Sequence, residues 1–278
     1  MVKQTRSKSA VSNPAMLELE RGPSQNNLEW GEQAVYEMGT GDDKNWTYVV
    51  LLGGSDTMSF RLRVAQSHIR NDMLPSYWSE SILVELKGAS VSKANAIHVP
   101  LLQPEGPEFP TRSNGVRVRS LRDYADPQRY PNIAVIALPV AQAEILKRVE
   151  AFRNSKSTLD ALEHVLRWLA FCWGAAATPN PLHDNYGFPS ACMLETVFAA
   201  ANLDLTPGLE ARASCPEAIW VAARFWQDYF EAFRGAVPQG RYWTPHAYAI
   251  TEPDDGKSSN SKKDVRASAS RARTRRGR

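Results

Sequence analysis

One cysteine of this 278-residue chain occupies a position where a thiol can gain reactivity. Cys192 follows Pro189 and Ser190 at the predicted start of a helix and therefore falls in its first turn. The unpaired N–H groups and the positive dipole end of a helix stabilise a thiolate, which is the nucleophilic form of cysteine. The alternative is that Cys192 is a small buried core residue. Cys172, on the apolar side of a helix, and Cys215, at the entry to another, are expected to be structural.

A nucleophilic thiol needs an imidazole within hydrogen-bond reach. In the predicted strand ANAIHVPL, alternation places His98 on the face opposite its apolar neighbours, so that it projects from the sheet. His183 lies in the loop PNPLHDNYGFP, where catalytic side chains are common. We expect His68 to be half exposed, His164 to lie on a helix surface and His246 to have no partner group nearby. His98 and then His183 are the candidates for a catalytic imidazole.

The elements that must position these residues are predicted to be strands in the first part of the chain and helices in the second. Between Trp46 and about Leu138, four apolar runs are separated by turn residues and predict the strands of a sheet: WTYVVLL, SILVEL, AIHVPLL and NIAVIAL. Helical periodicity follows, with further helices predicted to begin at Pro189 and Pro216. In the run STLDALEHVLRWLAFCWG, one face is predicted to be buried: Leu159, Leu162, Leu166, Leu169 and Trp173. The fold class predicted is α+β, an antiparallel sheet packed against a C-terminal helical half.

The composition along the chain predicts one folded domain between two disordered ends. With 43% hydrophobic and 23% charged residues the chain is globular, but residues 1–27 and 252–278 show no periodicity. We expect a disordered N-terminal arm (1–27), one domain (28–251) and a disordered basic tail (252–278). Residues 257–278, within this tail, hold nine Lys or Arg and one Asp, so this segment carries 9 − 1 = +8 while the rest of the chain carries 3 − 8 = −5. Nucleic acid is therefore expected to bind only through the tail.

Several classes of protein are disfavoured by what the sequence lacks. No cysteine pair has C-x-x-C spacing and no His, Asp or Glu cluster has metal-ligand spacing, so we expect neither a metal nor a cofactor. The N-terminus shows no secretory signal, and no apolar run reaches the roughly 18 residues that span a bilayer. We expect a soluble cytoplasmic protein without a membrane span, and the oligomeric state stays open.

Four segments resemble the circularly permuted papain-like hydrolases of the NlpC type: PSYWSESILVE, AIHVPLL, PSACMLETVFAAANLDLTPG and ASCPEAIW. The resemblance covers residues from about 47 to 101 and from 186 to 226. The cysteine of the family maps onto Cys192, and its downstream Leu and Pro positions onto Leu203, Leu205 and Pro207. The resemblance implies a permuted papain-like fold and thiol attack on an amide, thioester or ester carbonyl. From their positions in the sequence, four further residues are expected to line the cleft: Trp78, Ser79, His183 and Ser190.

The chain departs from the family at the catalytic histidine. Glu80 follows Ser79 where the family has His, and a carboxylate with a reference pKa near 4.3 cannot supply an imidazolium. In one interpretation His98 is the base and Glu80 orients it, giving a triad of Cys192, His98 and Glu80. In the other, the site has lost its chemistry, and the scaffold binds a peptide, an acyl chain or a protein partner as part of an assembly.

Overall fold

The computed structural model describes residues 16–41, 44–87, 90–102, 113–155, 161–230 and 237–245, which form seven strands and six α-helices. The strands are β1 (Met16–Glu18), β2 (Thr47–Gly53), β3 (Glu80–Lys87), β4 (Ser90–His98), β5 (Arg117–Ser120), β6 (Asn132–Leu138) and β7 (Gln239–Trp243). The helices are α1 (Asn27–Met38), α2 (Thr57–Ala65), α3 (Gln142–Asn154), α4 (Ala161–Trp173), α5 (Pro189–Ala199) and α6 (Pro216–Phe230).

All seven strands form one sheet in the order β1-β7-β6-β2-β3-β4-β5. Neighbouring strands are antiparallel except β1 and β7, which are parallel. The four apolar runs of the sequence correspond to β2, β3, β4 and β6, and every residue of β2 and β6 is buried. The α+β class and the mainly antiparallel sheet are confirmed.

Helices cover both faces of the sheet. Along β2, Val49 and Leu51 pack with the core formed by α2 to α6, whereas Tyr48 and Val50 pack with α1 on the other face. The indole of Trp30 in α1 is fully enclosed there. The predicted packing against a C-terminal helical half therefore holds for one face of the sheet and misses α1, which covers the other face. A central strand that is apolar at every position needs cover on both faces, because successive side chains point in opposite directions.

The predicted N-terminal arm contains ordered structure. β1 lies inside residues 1–27 and pairs with β7, near the other end of the described chain. The next element, α1, begins with a capping box, in which the Asn26 side chain accepts from the N–H of Glu29 and the Glu29 carboxylate accepts from the N–H of Asn26. The predicted arm is thus wrong from Met16 onward. Residues 1–15 and the predicted tail, 252–278, lie outside the described residues.

Helix α4 buries a different face from the one that its leucine pattern predicts. Leu166 and Trp173 are 56% and 64% exposed, and the buried side is formed by Ala161, His164, Val165, Trp168 and Cys172. His164, predicted to lie on the surface, hydrogen-bonds through Nδ1 to the carbonyl of Gly187 at 3.0 Å. The Trp168 indole donates to the same carbonyl at 2.8 Å. These two polar bonds direct the helix, so the predicted burial is wrong at Leu166 and Trp173, whereas Leu162 and Leu169 are half-buried and Leu159 lies outside the described residues. Cys172 is buried as expected.

No helix within the described ranges combines the length and apolar character that a membrane crossing requires.

Candidate functional site

The three residues of the predicted triad do not converge. Cys192 is 0% exposed in the core shared by the sheet and α2 to α6. Ile97 in β4 and Val99 directly after β4 point into that core, so His98 between them points to the α1 face of the sheet. His98 contacts Tyr124, which belongs to the core on the α1 side. The sheet itself separates the thiol from the imidazole, and a catalytic triad of Cys192, His98 and Glu80 is wrong.

The Cys192 thiol is held as a neutral donor. Its Sγ lies 3.2 Å from the carbonyl oxygen of Arg212 and 3.7 Å from that of Ser214, so the single S–H proton is directed at main-chain acceptors. Burial raises the pKa of Cys192 well above its ordinary value, with a smaller contribution from neighbouring Cys215. A buried, carbonyl-lined environment disfavours the thiolate more than the helix dipole favours it.

The segment that encloses Cys192 depends on a glycine. Gly187 donates its N–H to the carbonyl of Arg212 at 2.7 Å, and Phe188 donates to the carbonyl of Ser214 at 2.9 Å. A Cβ on Gly187 would lie 2.2 Å from the Ser214 oxygen and 2.7 Å from the Cys192 sulfur. Only a residue without a side chain allows the two segments to approach this closely. The thiol is therefore covered by paired backbone.

Glu80 and His98 do come together on the α1 face. Glu80 Oε1 lies 3.5 Å from His98 Nδ1, and His98 Nε2 lies 3.1 Å from the hydroxyl of Tyr124. The His98 side chain is almost fully buried, whereas Glu80 keeps partial access to solvent. His98 Nδ1 has no aligned hydrogen bond within the part of the chain that the structure describes. The sequence-based pairing of these two residues is correct, although their partner is a phenol rather than a thiol.

The Glu80–His98–Tyr124 chain has no activated nucleophile at its end. Burial raises the pKa of Tyr124, and the negative charge of Glu80 raises it further. The phenol therefore stays neutral and serves as a hydrogen-bonding partner. Tyr130 stacks on Tyr124 at 5.3 Å between ring centroids, and the Arg129 guanidinium lies over Tyr130. The arrangement stabilises packing of the β3 and β4 ends.

Three of the four residues predicted to line a cleft are buried. Trp78 packs in the core against Trp220, with ring centroids 5.1 Å apart. Ser79 Oγ accepts from the Gly54 N–H at 3.0 Å, which fixes the start of β3. Ser190 Oγ accepts from the Val99 N–H at 2.9 Å and lies 3.1 Å from the Val99 carbonyl oxygen. The last pair of bonds closes the gap between the start of α5 and β4, where the cleft was predicted.

His183, the fourth residue, lies on the surface. It belongs to a short 3₁₀ helix, Pro181–Asp184, and its ring contacts that of His68.

No family model, curated protein or solved structure matches this chain. Within the described ranges no three His, Cys, Asp or Glu side chains are grouped as metal ligands. The candidate functional site is therefore identified from the concave surfaces of the fold.

A cleft opens between the segment after α2 and the exposed side of α6, with a volume of about 230 Å³. Its walls carry four charged side chains, Arg70, Asp72, Glu217 and Arg224, and three apolar ones, Ile69, Val221 and Phe225. Phe225 is 58% exposed, and Met73 and Leu74 expose further apolar surface in the neighbouring turn. The cleft thus has a charged interior and an apolar rim.

A chain of charged contacts holds the cleft in shape. Arg70 binds Asp72 through Nε at 2.8 Å and through its terminal nitrogen at 2.5 Å, and it stacks on Tyr77. Its other terminal nitrogen lies 3.7 Å from Glu217 Oε1. Glu217 Oε2 accepts from the Ser76 hydroxyl at 2.5 Å. Bidentate Arg–carboxylate geometry and stacking fix the guanidinium plane, so the cleft is preorganised.

Glu217 is the buried anchor of this cleft. It lies in the first turn of α6, where a carboxylate is favoured by the helix dipole, and its N–H donates to Gln66 Oε1 at 2.8 Å. Burial raises the pKa of Glu217, while the Ser76 hydrogen bond and the charge of Arg70 oppose the increase. Sequence patterns could not identify this cleft, because Arg70 and Glu217 are far apart in the chain. The only local signal is an acidic residue directly after Pro216.

A second, apolar cavity of about 30 Å³ lies between α1 and the sheet. A space of this size holds only about two or three water-sized molecules. It offers no room for an acyl chain.

Proposed function

We propose that this protein is a non-catalytic binding protein that recognises a protein or peptide partner through the Arg70–Glu217 cleft. The observation that carries the proposal is the enclosure of Cys192, whose thiol is hydrogen-bonded to main-chain carbonyls and separated by the sheet from His98. A cysteine hydrolase needs a thiolate, an imidazole and access for substrate at one place. None of these conditions is met at Cys192, which favours binding over hydrolysis or acyl transfer.

The size of the cleft favours a protein partner. Sites for drug-sized ligands and cofactors usually measure about 300–1,000 Å³, whereas this cleft measures about 230 Å³. A volume of this size suits one or two side chains inserted from a partner surface. An acyl chain, the third occupant considered from sequence, would need a long apolar channel, while the interior of this cleft carries four charged groups.

The chemistry of the rim supports the same conclusion. Arginine, aromatic and long apolar side chains are enriched where binding energy concentrates in protein interfaces. Arg224 and Phe225 are exposed on α6, and Met73 and Leu74 are exposed on the facing turn. Because Arg70 is already fixed by Asp72 and Tyr77, little side-chain entropy is lost when a partner binds.

The permuted papain-like fold remains part of the proposal. It is supported by the antiparallel pair β3–β4, by the packing of α5 against β3 and by the contact of Ser190, at the start of α5, with the end of β4. In this interpretation the protein keeps the fold of the hydrolases and has lost their catalytic activity.

Thiol labelling tests the loss of chemistry. In the native protein, we expect iodoacetamide to modify Cys192 at least about a thousandfold more slowly than in the urea-unfolded chain, because reaction requires unfolding. The sites are identified by peptide mass mapping, and Cys172 and Cys215 are internal controls, since all three thiols are buried. Rapid labelling of Cys192 at neutral pH, with an apparent pKa under about 8.5, would overturn the proposal.

Peptide selection tests the binding site. Peptides selected from a random displayed library on the full chain are measured by fluorescence polarisation against wild type, Arg224→Glu and Phe225→Ala. We expect both variants to weaken binding by about tenfold or more, or about 1.4 kcal/mol. Leu209→Ala, which alters an exposed apolar residue elsewhere, is the matched control and should change affinity less than about twofold. If the selected peptides bind the cleft variants and wild type with equal affinity, the cleft is not the binding site.

A further inference from the structure

A pair of histidines lies on the surface, outside the cleft and outside the Glu80–His98 pair. His68, in the short 3₁₀ helix Ser67–Ile69, and His183 are both exposed, and their ring centroids are 4.9 Å apart with the planes at 72°. The stretch between Thr178 and Tyr186 brings His183 to this position from a part of the chain more than a hundred residues away. Both rings are exposed to solvent, so their contact does not result from packing in the core.

A shared carbonyl joins the His68 ring to the segment that carries His183. His68 Nδ1 donates to the carbonyl of Ala65 at 3.1 Å, and the Asn180 side-chain amide donates to the same oxygen at 2.7 Å. Asn180 in turn accepts from the Leu182 N–H through its side chain and from the His183 N–H through its carbonyl. The backbone that carries His183 is therefore tied to the backbone that carries His68.

The hydrogen bond of His68 also sets its tautomer. A carbonyl oxygen only accepts, so Nδ1 carries the proton and Nε2 carries the lone pair. A neutral imidazole whose second nitrogen donates to a carbonyl is the usual state of a metal-binding histidine.

The spacing of the two rings fits a shared metal ion. With Zn–N bonds of about 2.0–2.1 Å and tetrahedral angles, the centroids of two bound imidazoles lie about 5 Å apart. The observed separation of 4.9 Å, with the rings edge-on at 72°, is close to this value. No third His, Cys, Asp or Glu completes the set within the described ranges, so water would occupy the remaining coordination positions.

We propose that His68 and His183 form a two-histidine surface site for Zn²⁺ or a chemically similar divalent transition metal. Binding would link the turn after α2 to the segment that leads into α5. The proposal is independent of the cleft, because it uses none of its residues.

Calorimetric titration of untagged full-length protein with ZnCl₂ tests the site. We expect saturation at one Zn²⁺ per chain, reversal by EDTA, and loss of about tenfold or more in affinity in His68→Gln and in His183→Gln. Both side chains are exposed, so both variants should fold, which circular dichroism verifies. Zn²⁺ should raise the Tm of wild type and leave that of the double variant unchanged.

His246→Gln is the matched control, since His246 is a histidine outside the described residues. It should bind Zn²⁺ as wild type does. Undiminished binding in the double variant, or an equal loss in His246→Gln, would overturn the proposal.

Discussion

Gly187→Ala is expected to destabilise the protein strongly, because it inserts a methyl group between paired backbone segments. The new Cβ would lie 2.2 Å from the Ser214 carbonyl oxygen. Normal contact requires about 3.2 Å, so the segments must separate by about 1 Å. The two backbone hydrogen bonds that join them, at 2.7 and 2.9 Å, would then be lost.

The free-energy cost follows from these changes. Two hydrogen bonds contribute about 1 kcal/mol each, and overpacking adds about 1–3 kcal/mol. The free energy of unfolding should therefore fall by about 3–5 kcal/mol, which is a large part of a typical stability of about 5–15 kcal/mol. Because the added methyl group would also lie 2.7 Å from the Cys192 sulfur, labelling of Cys192 should become faster.

Urea denaturation followed by tryptophan fluorescence measures the effect. We expect the midpoint to fall by about 1–2 M for Gly187→Ala. Gly22→Ala is the control, because a Cβ there meets its nearest atom at 3.7 Å, and its free energy of unfolding should change by less than about 0.5 kcal/mol. If the two variants were equally stable, the close approach of residues 187 and 214 would be wrong, and with it the account of why Cys192 is enclosed.

Three further predictions follow from buried groups and from the face that α4 buries. Glu195→Ala should lower the free energy of unfolding by about 2–4 kcal/mol, because two buried N–H groups and the Thr206 hydroxyl lose their acceptor, and urea denaturation measures the loss. Glu217 has a pKa raised above its usual 4.5, so its contribution to stability is present below that pH and declines as pH rises through the folded-state pKa. The Tm of Glu217→Gln should therefore improve relative to wild type as pH increases from about 4.5, and parallel pH profiles would contradict this sign. Val165→Ser should lower the free energy of unfolding by about 2 kcal/mol or more, and Leu166→Ser should lower it by less than about 0.5 kcal/mol, both measured by urea denaturation. The reverse order would show that α4 buries the leucine face predicted from sequence.

The strands were predictable because their sequence signal is local. Continuous apolar runs bounded by turn residues identify β2 and β6 correctly, since a central strand is buried on both faces. The starts of α5 and α6 are likewise marked by Pro189 and Pro216. β1 and β7 were missed, because a three-residue and a five-residue strand carry almost no periodicity and exist through their pairing with each other.

Tertiary contacts decided what the sequence pattern left open. Both sides of α4 are apolar, and the Gly187 carbonyl, which binds His164 and Trp168, selects the side that faces inward. The position of Cys192 in a first turn predicts a reactive thiol only if the first turn is open to solvent. Here the segment near Ser214 covers it, and the sequence around Cys192 holds no information about that segment. Glu80 and His98 were paired correctly because neighbouring antiparallel strands bring them to one face.

The position of β7 has a consequence for synthesis on the ribosome. β7 inserts between β1 and β6, so the sheet stays open until nearly the last described residues have emerged. Until then β6, buried along its whole length in the finished fold, presents an unpaired apolar edge of the kind that recruits other chains. Truncations that remove Gln239–Trp243 should therefore yield insoluble aggregates rather than a smaller folded protein, and a nascent chain of this protein has a long interval in which a chaperone is useful.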